Sequence, residues 1–141
     1  MFKLHVLIAS LLLLALTNVH AADDTRQLVK MPEMMQQHLL GNMRDHLQTL
    51  NQILIDMGNG KLGKAGDLAE ARLGMSSLPL HGASHMAQFM PAGMQQAGTA
   101  MHHAASRFAL KAQEGDLLAA YKALSHVTSS CVACHAGYRI H

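Results

Sequence analysis

Apolar positions recur at intervals of three and four from Met35 through Leu39, Met43, Leu47, Leu50 and Leu54 to Met57, while Gln36, Arg44, Gln48 and Asn51 fall elsewhere. That period predicts one long amphipathic helix. Pro32 suits its first turn, Glu33 favours the positive N-terminal end, and Gly58, Asn59 and Gly60 close it. A second, shorter helix is expected over 62–75, with Leu62, Ala65, Ala69 and Leu73 on one face, although Gly63 and Gly66 make it locally poor. Leu78 and Pro79 end it, and 79–91 reads as a long connection. A third helix begins near Gly93. In it Met94, Met101 and Phe108 sit seven apart, with Ala97, Ala104, Ala105 and Ala112 between them, a narrow seam for a neighbouring helix. Glu114, Gly115 and Asp116 make the last turn, Asp116 serving as N-cap of a fourth helix. Its stripe runs Leu117, Tyr121, Leu124, Thr128, Cys131, His135 and Tyr138. Four helices with two short connections and one longer one predict an all-α, antiparallel four-helix bundle, whose sites lie between facing helices.

Composition supports the helical reading. There is no Trp, with two Tyr and three Phe, while Ala, Leu, Met and Gln are abundant. The first residues are different in kind: Lys3, an apolar run from Val6 to Leu16, then Val19, His20, Ala21 and Ala22. A basic start, an apolar core and a small-residue cleavage site predict a secretory signal at 1–21, leaving 22–141 as a single domain. The run is too short to span a bilayer comfortably, so no stable membrane insertion is expected after cleavage. Removal takes only Lys3 from eleven Lys and Arg, leaving ten against nine Asp and Glu. That balance points away from nucleic acid.

The candidate chemistry sits near the C-terminus, where Cys131, Cys134 and His135 form a Cys-x-x-Cys-His run. This is the pattern of covalent c-type haem attachment, each thiol adding to a haem vinyl group and the imidazole binding iron. At about 100° per residue the three side chains share one helical face and can reach one flat macrocycle. A structural zinc site lacks a second Cys pair, although His-rich loops could supply ligands. A short-range disulfide is the other structural alternative. A thioredoxin-like motif belongs at a strand-to-helix junction, and nothing before Cys131 reads as a strand. Export fits haem attachment, which predicts a periplasmic location and one haem c per chain.

Gly115, Asp116 and Leu117, followed by a helix ending in Cys131, Cys134, His135, Ala136, Gly137, Tyr138 and Arg139, resemble the C-terminal helix of the cytochrome c′ family. The resemblance is specific over 115–139 and rests elsewhere on helix lengths and the Leu78 and Pro79 close. It implies the up-down-up-down bundle of that family. It also implies a division by distal ligand: an apolar side chain over five-coordinate iron in gas-binding members, a methionine in low-spin electron carriers. Counting from Pro32, or back from Met57, the distal position falls on Met43. Met34 or Met35, His38 or His46, and an open sixth position are the alternatives. Arg139 corresponds to a basic residue flanking the proximal histidine, one turn after His135, and Tyr138 to a packing residue. The family's first-helix arginine falls on Leu39, so Arg44 or Lys30 is left as propionate partner.

The expected function is one-electron transfer without substrate turnover, with a periplasmic redox protein as partner. A homodimer is an expectation from the same resemblance. Two other functions stay open. One is binding of nitric oxide or carbon monoxide at an open sixth position. The other is copper binding by His81, His85, Met86 and Met90, with His102 and His103 later in the chain, since imidazole and thioether suit Cu(II) and Cu(I). Ordinary loop packing is the competing account of that loop, and His126 is expected to face solvent.

Overall fold

Pro32, with extended backbone, precedes the first long helix, α1 (Glu33–Gly58), and Glu33 provides the acidic residue of its first turn. Gly60 has φ of 71° and turns the chain out of the helix at a conformation only glycine adopts freely. Three further helices follow the sequence expectation closely: α2 (Leu62–Arg72), then, beyond the long connection, Ala92–Gln113 and Leu117–Gly137. The computed structural model describes residues 23–141, so the expected signal at 1–21 lies outside the described residues. The described chain is mostly helical, an all-α protein. Among the described residues no helix is long and apolar enough to cross a membrane.

The expected connection at 79–91 is more structured than its prolines suggest. It contains a one-turn helix, α3 (Ala83–Ala87), entered through Gly82 at φ of 61° and preceded by a 3-10 turn at Met75–Ser77. The two remaining helices are therefore α4 (Ala92–Gln113) and α5 (Leu117–Gly137). Asp116 caps α5 as expected, its Oδ1 accepting from the backbone N–H groups of Leu118 (2.9 Å) and Ala119 (3.0 Å). A two-residue parallel bridge joins β1 (Gln27–Leu28) to β2 (Tyr138–Arg139), tying the N-terminal lead-in to the tail that follows the Cys-x-x-Cys-His run. Sequence gave no sign of it, because strands this short carry no period.

Burial follows the predicted faces in α2 and α4 and departs from them in α1 and α5. Met94, Met101, Phe108 and their alanines pack as expected. In α1, however, Leu47 and Leu54 are exposed, and the buried line is Leu39, His46, Thr49, Ile53, Asp56 and Met57. Steps of four advance about 40° beyond a full turn and walk off the buried face, whereas steps of seven drift only about 20°. The same correction applies to α5. Leu117, Tyr121 and Thr128 are exposed, and Ala120, Leu124 and Val127 are buried.

Two separate apolar clusters result. The first joins Ile53 and Met57 of α1, Ala65, Ala69 and Leu73 of α2, Met101, Ala104, Ala105, Phe108 and Ala112 of α4, and Ala120, Leu124 and Val127 of α5. Gly66 lets α2 and α4 approach, since a Cβ there would come within 2.9 Å of the Ala109 carbonyl oxygen. The second joins Val29 and Met31 of the lead-in, Leu39 of α1, Met86 of α3 and Met94 of α4. Met35, Met43, Phe89, Met90, Cys134, Tyr138 and Ile140 pack against it. Because α2 ends at Arg72, it contributes nothing to the second cluster, where α3 and the β-bridge take its place.

Candidate functional site

The second cluster surrounds a cavity of about 370 Å³. Leu39, Leu40, Met43 and His46 of α1 line it from one side, Cys134 and His135 from the C-terminal end of α5 and Tyr138 from β2. Its volume falls within the roughly 300–1,000 Å³ of ordinary ligand and cofactor sites, and its lining is predominantly apolar. Cys134, His135 and Met43, separated by some ninety residues of sequence, thus face one space.

The two cysteines are free thiols, both half-buried. Burial pushes each thiol pKa above its ordinary value. They are held protonated at neutral pH, unlike the depressed thiols of redox Cys-x-x-Cys motifs. Cys134 packs with the methionine-rich cluster and Cys131 with the first core, so the pair spans the junction of the two. His135 is exposed while lining the cavity, which places its imidazole at the mouth rather than deep in the protein.

The expected position of Arg139 requires correction. The helix stops at Gly137, and Arg139 lies in the extended β2, so it does not stand one helical turn after His135. Its Nε is instead 3.5 Å from Asp24, and its Nη1 donates to the His141 carbonyl at 3.1 Å. Arg26, which sequence reading passed over, does line the cavity and donates to both oxygens of Asp24 (2.9 and 2.7 Å). That bonding to Arg26, backed by the charge of Arg139, holds the Asp24 carboxyl at about 2. Arg44 and Lys30 are exposed and do not line the cavity. The Tyr138 hydroxyl lies against Gly93, where the absent Cβ leaves it room.

The loop histidines part company. His85 is exposed, whereas His81 is buried among His46 and His102, and all three line the cavity. Ring centroids are 4.6 Å apart for His46 and His81, 5.4 Å for His81 and His102, and 6.2 Å for His46 and His102. Hydrogen bonds fix the tautomers of two of them. Nδ1 of His102 lies 2.8 Å from the Leu73 carbonyl oxygen, so it carries the proton and Nε2 keeps its lone pair. Ser77 donates its only hydroxyl proton to the Gly74 carbonyl at 2.7 Å. The 3.4 Å contact between Ser77 Oγ and His81 Nδ1 therefore has the ring as donor, which leaves His81 Nε2 a lone pair too. That atom faces His46 Nε2 at 3.4 Å.

The His81 carbonyl accepts from Asn42 (3.0 Å) and pairs with a ring nitrogen of His38 (2.9 Å), which anchors the loop to α1. Burial, then the neighbouring imidazoles, lower the His46 pKa to about 4, with Asp45 opposing and Arg72 adding to the shift. Burial and His102 lower His81 likewise.

Sequence spacing singled out His81 and weighed His46, but left His102 as one of an adjacent pair. No local signal could join three residues drawn from α1, a turn and α4. No protein-family model, no curated protein and no solved structure matches the chain.

Proposed function

We propose that this chain is an exported c-type cytochrome of the cytochrome c′ kind, carrying one electron on a single haem c joined covalently to Cys131 and Cys134. His135 is its proximal iron ligand and Met43 its distal one. The observation that carries this reading is the convergence of Cys134, His135 and Met43 on one apolar cavity of cofactor size. The antiparallel four-helix arrangement belongs to the same reading. It is supported by the clusters, which group the first half of α1 with the start of α4 and the end of α5, and the later parts of α1 and α4 with the start of α5.

Bound haem would supply a reversible one-electron couple. The chain's own contributions are distinct from that. Cys131 and Cys134 would hold the group covalently, the aliphatic and thioether side chains of Leu39, Met86 and Met94 line the cavity and would exclude water from it, and Arg26 stands at its wall where it could pair with a propionate. His135, exposed at the mouth, would hold the iron near the surface, where a periplasmic redox protein could exchange an electron with it.

The test is the visible spectrum of purified ferric and ferrous protein, repeated under carbon monoxide and with Met43→Ala. Low-spin spectra with a sulfur-to-iron band, unmoved by carbon monoxide and lost in Met43→Ala, are the expected result. High-spin spectra that shift with carbon monoxide and ignore the substitution would replace electron transfer by gas binding.

A further inference from the structure

Residues 79–90, the connection before α4, give Ala83, Met86 and Met90 to the cavity wall, and the two ends of this segment are fastened by different chemistry. At the α4 end Gln95 Nε2 donates to the carbonyls of Ala87 and Met90, both at 2.9 Å, and neither bond involves a titrating group. At the other end the fastening is His81. We propose that this segment is a lid that opens in mild acid, when a proton taken up by the His81 ring breaks its bond to His46.

The hydrogen bonds carry the inference. His81 Nδ1 donates to Ser77, so its Nε2 accepts, and the proton of the 3.4 Å contact belongs to His46 Nε2. A further proton on His81 can enter only at that Nε2, which sets two N–H groups face to face. Moving the His46 proton to its other nitrogen would restore an acceptor, but the new charge would still be buried. Its surroundings do not welcome it. α1 brings His38 and His46, α4 brings His102, and α2 brings Arg72, none of them an anion. Asp45 of α1, the nearby acid, is engaged in its ion pair with Arg72. Burial and His102 accordingly hold the ring of the closed lid below the ordinary 6.5.

The neighbouring fastenings respond differently to acid. His38 reaches the His81 carbonyl at 2.9 Å through Nε2, which must be the donor because a carbonyl only accepts. A second proton on His38 leaves that bond in place, as one on His102 leaves its Nδ1 bond to Leu73. His81 is the point where a proton undoes a contact. Gly82, next in the chain at φ of 61°, is suited to absorb a change of backbone direction. As the turn moves outward, the His81 carbonyl exchanges Asn42 and His38 for water, and the freed ring titrates as it does in water. The open lid accepts the proton that the closed lid refuses. Acid therefore favours opening by up to about tenfold for each pH unit below 6.5.

Segment-resolved amide hydrogen exchange on the protein as purified tests this. The lid does not rest on what fills the cavity, and haem attachment is read separately from the mass of the denatured chain. One-turn α3 cannot hold its helix away from the wall, so its amides exchange whenever the lid opens. After correction for intrinsic rates, protection over 79–90 should be level from pH 8 to pH 7. At pH 5 it should have fallen by more than about threefold and by up to about 30-fold. At every pH it should lie below the protection of 104–112 in the first cluster, the mark of an opening separate from unfolding. His81→Gln, which keeps a neutral hydrogen-bonding group, should reduce the fall to less than about threefold, and exposed His85→Gln should leave it as it was. Protection equal to that of 104–112, a fall that begins only below pH 5 where carboxylates titrate, or a fall that persists in His81→Gln would overturn the proposal. The first two outcomes are read on the unsubstituted protein and need no variant to fold.

Discussion

The two apolar clusters differ in what fills them. Around Phe108 the chain uses mainly alanines, Ile53, Leu73, Leu124 and Val127, with two methionines, Met57 and Met101, set in a regular seam, and several of them are wholly buried. Around the cavity it uses Met31, Met35, Met43, Met86, Met90 and Met94, flexible thioethers that adapt to irregular shapes. The first cluster is packed for rigidity and the second for accommodation. Along α1, His46 falls between Met43 of the second and Ile53 of the first. Along α4, His102 falls between Met94 and Phe108. The histidines therefore mark the boundary, a polar layer that lets one end of the helices be a closed core while the other stays open to a ligand.

The comparison breaks most sharply under truncation. Phe108→Ala removes a fully buried ring from a seam that cannot collapse, and should cost about 3–5 kcal/mol in urea denaturation. Met86→Ala, although Met86 is also buried, should cost about 2 kcal/mol, since its neighbours are mobile thioethers beside existing space. Equal costs would mean that the two clusters are packed alike.

Acid tests the layer between them. His46 has a folded pKa of about 4 against an ordinary 6.5. Between those values the unfolded chain takes up a proton that the folded one refuses. Stability is accordingly full above about pH 6.5 and falls as the pH drops toward 4, by about 3 kcal/mol at most from this ring. Urea midpoints at pH 7 and pH 4.5 should differ accordingly. His46→Gln should flatten that difference, and an unchanged slope would remove His46 from the acid response.

Gly66→Ala probes the rigid side alone. The added Cβ would meet the Ala109 backbone oxygen and the Ala112 methyl, neither of which is the end of a flexible chain. Overpacking of about 1–3 kcal/mol is expected, read by the same denaturation, whereas a neutral result would show that α2 and α4 can slide apart.

These contrasts also explain what was legible in the sequence. The α4 seam was readable because Met94, Met101 and Phe108 keep a spacing of seven and every step stays on one face. The α1 stripe was misread because apolar residues occupy its flank. Leu47 and Leu54 are exposed, while His46, Thr49 and Asp56 are buried, the last paired with Lys64 at 3.2 Å and bonded by Gln52 at 3.2 Å. Polarity hides a buried position whenever its partner lies on another element. The Cys-x-x-Cys-His run was visible because its residues are adjacent. The company of Arg26 and the three histidines was not, because it is made by tertiary contacts between segments far apart in the chain.

The smallest effect expected is the most discriminating for the cavity side. Met43 is half-buried and packs against the adaptable cluster while lining the cavity. Met43→Leu conserves volume and apolarity, and its neighbours can repack around a branched side chain, so stability should change by less than about 1.5 kcal/mol. A purely packing methionine would leave nothing else altered. A methionine whose sulfur serves a bound group would lose that contact with the fold intact, and the visible spectrum would change while the urea midpoint barely moved. A large loss of stability would instead place Met43 in a tightly fitted environment, and the contrast between a rigid core and an accommodating one would fail at the residue where it matters most.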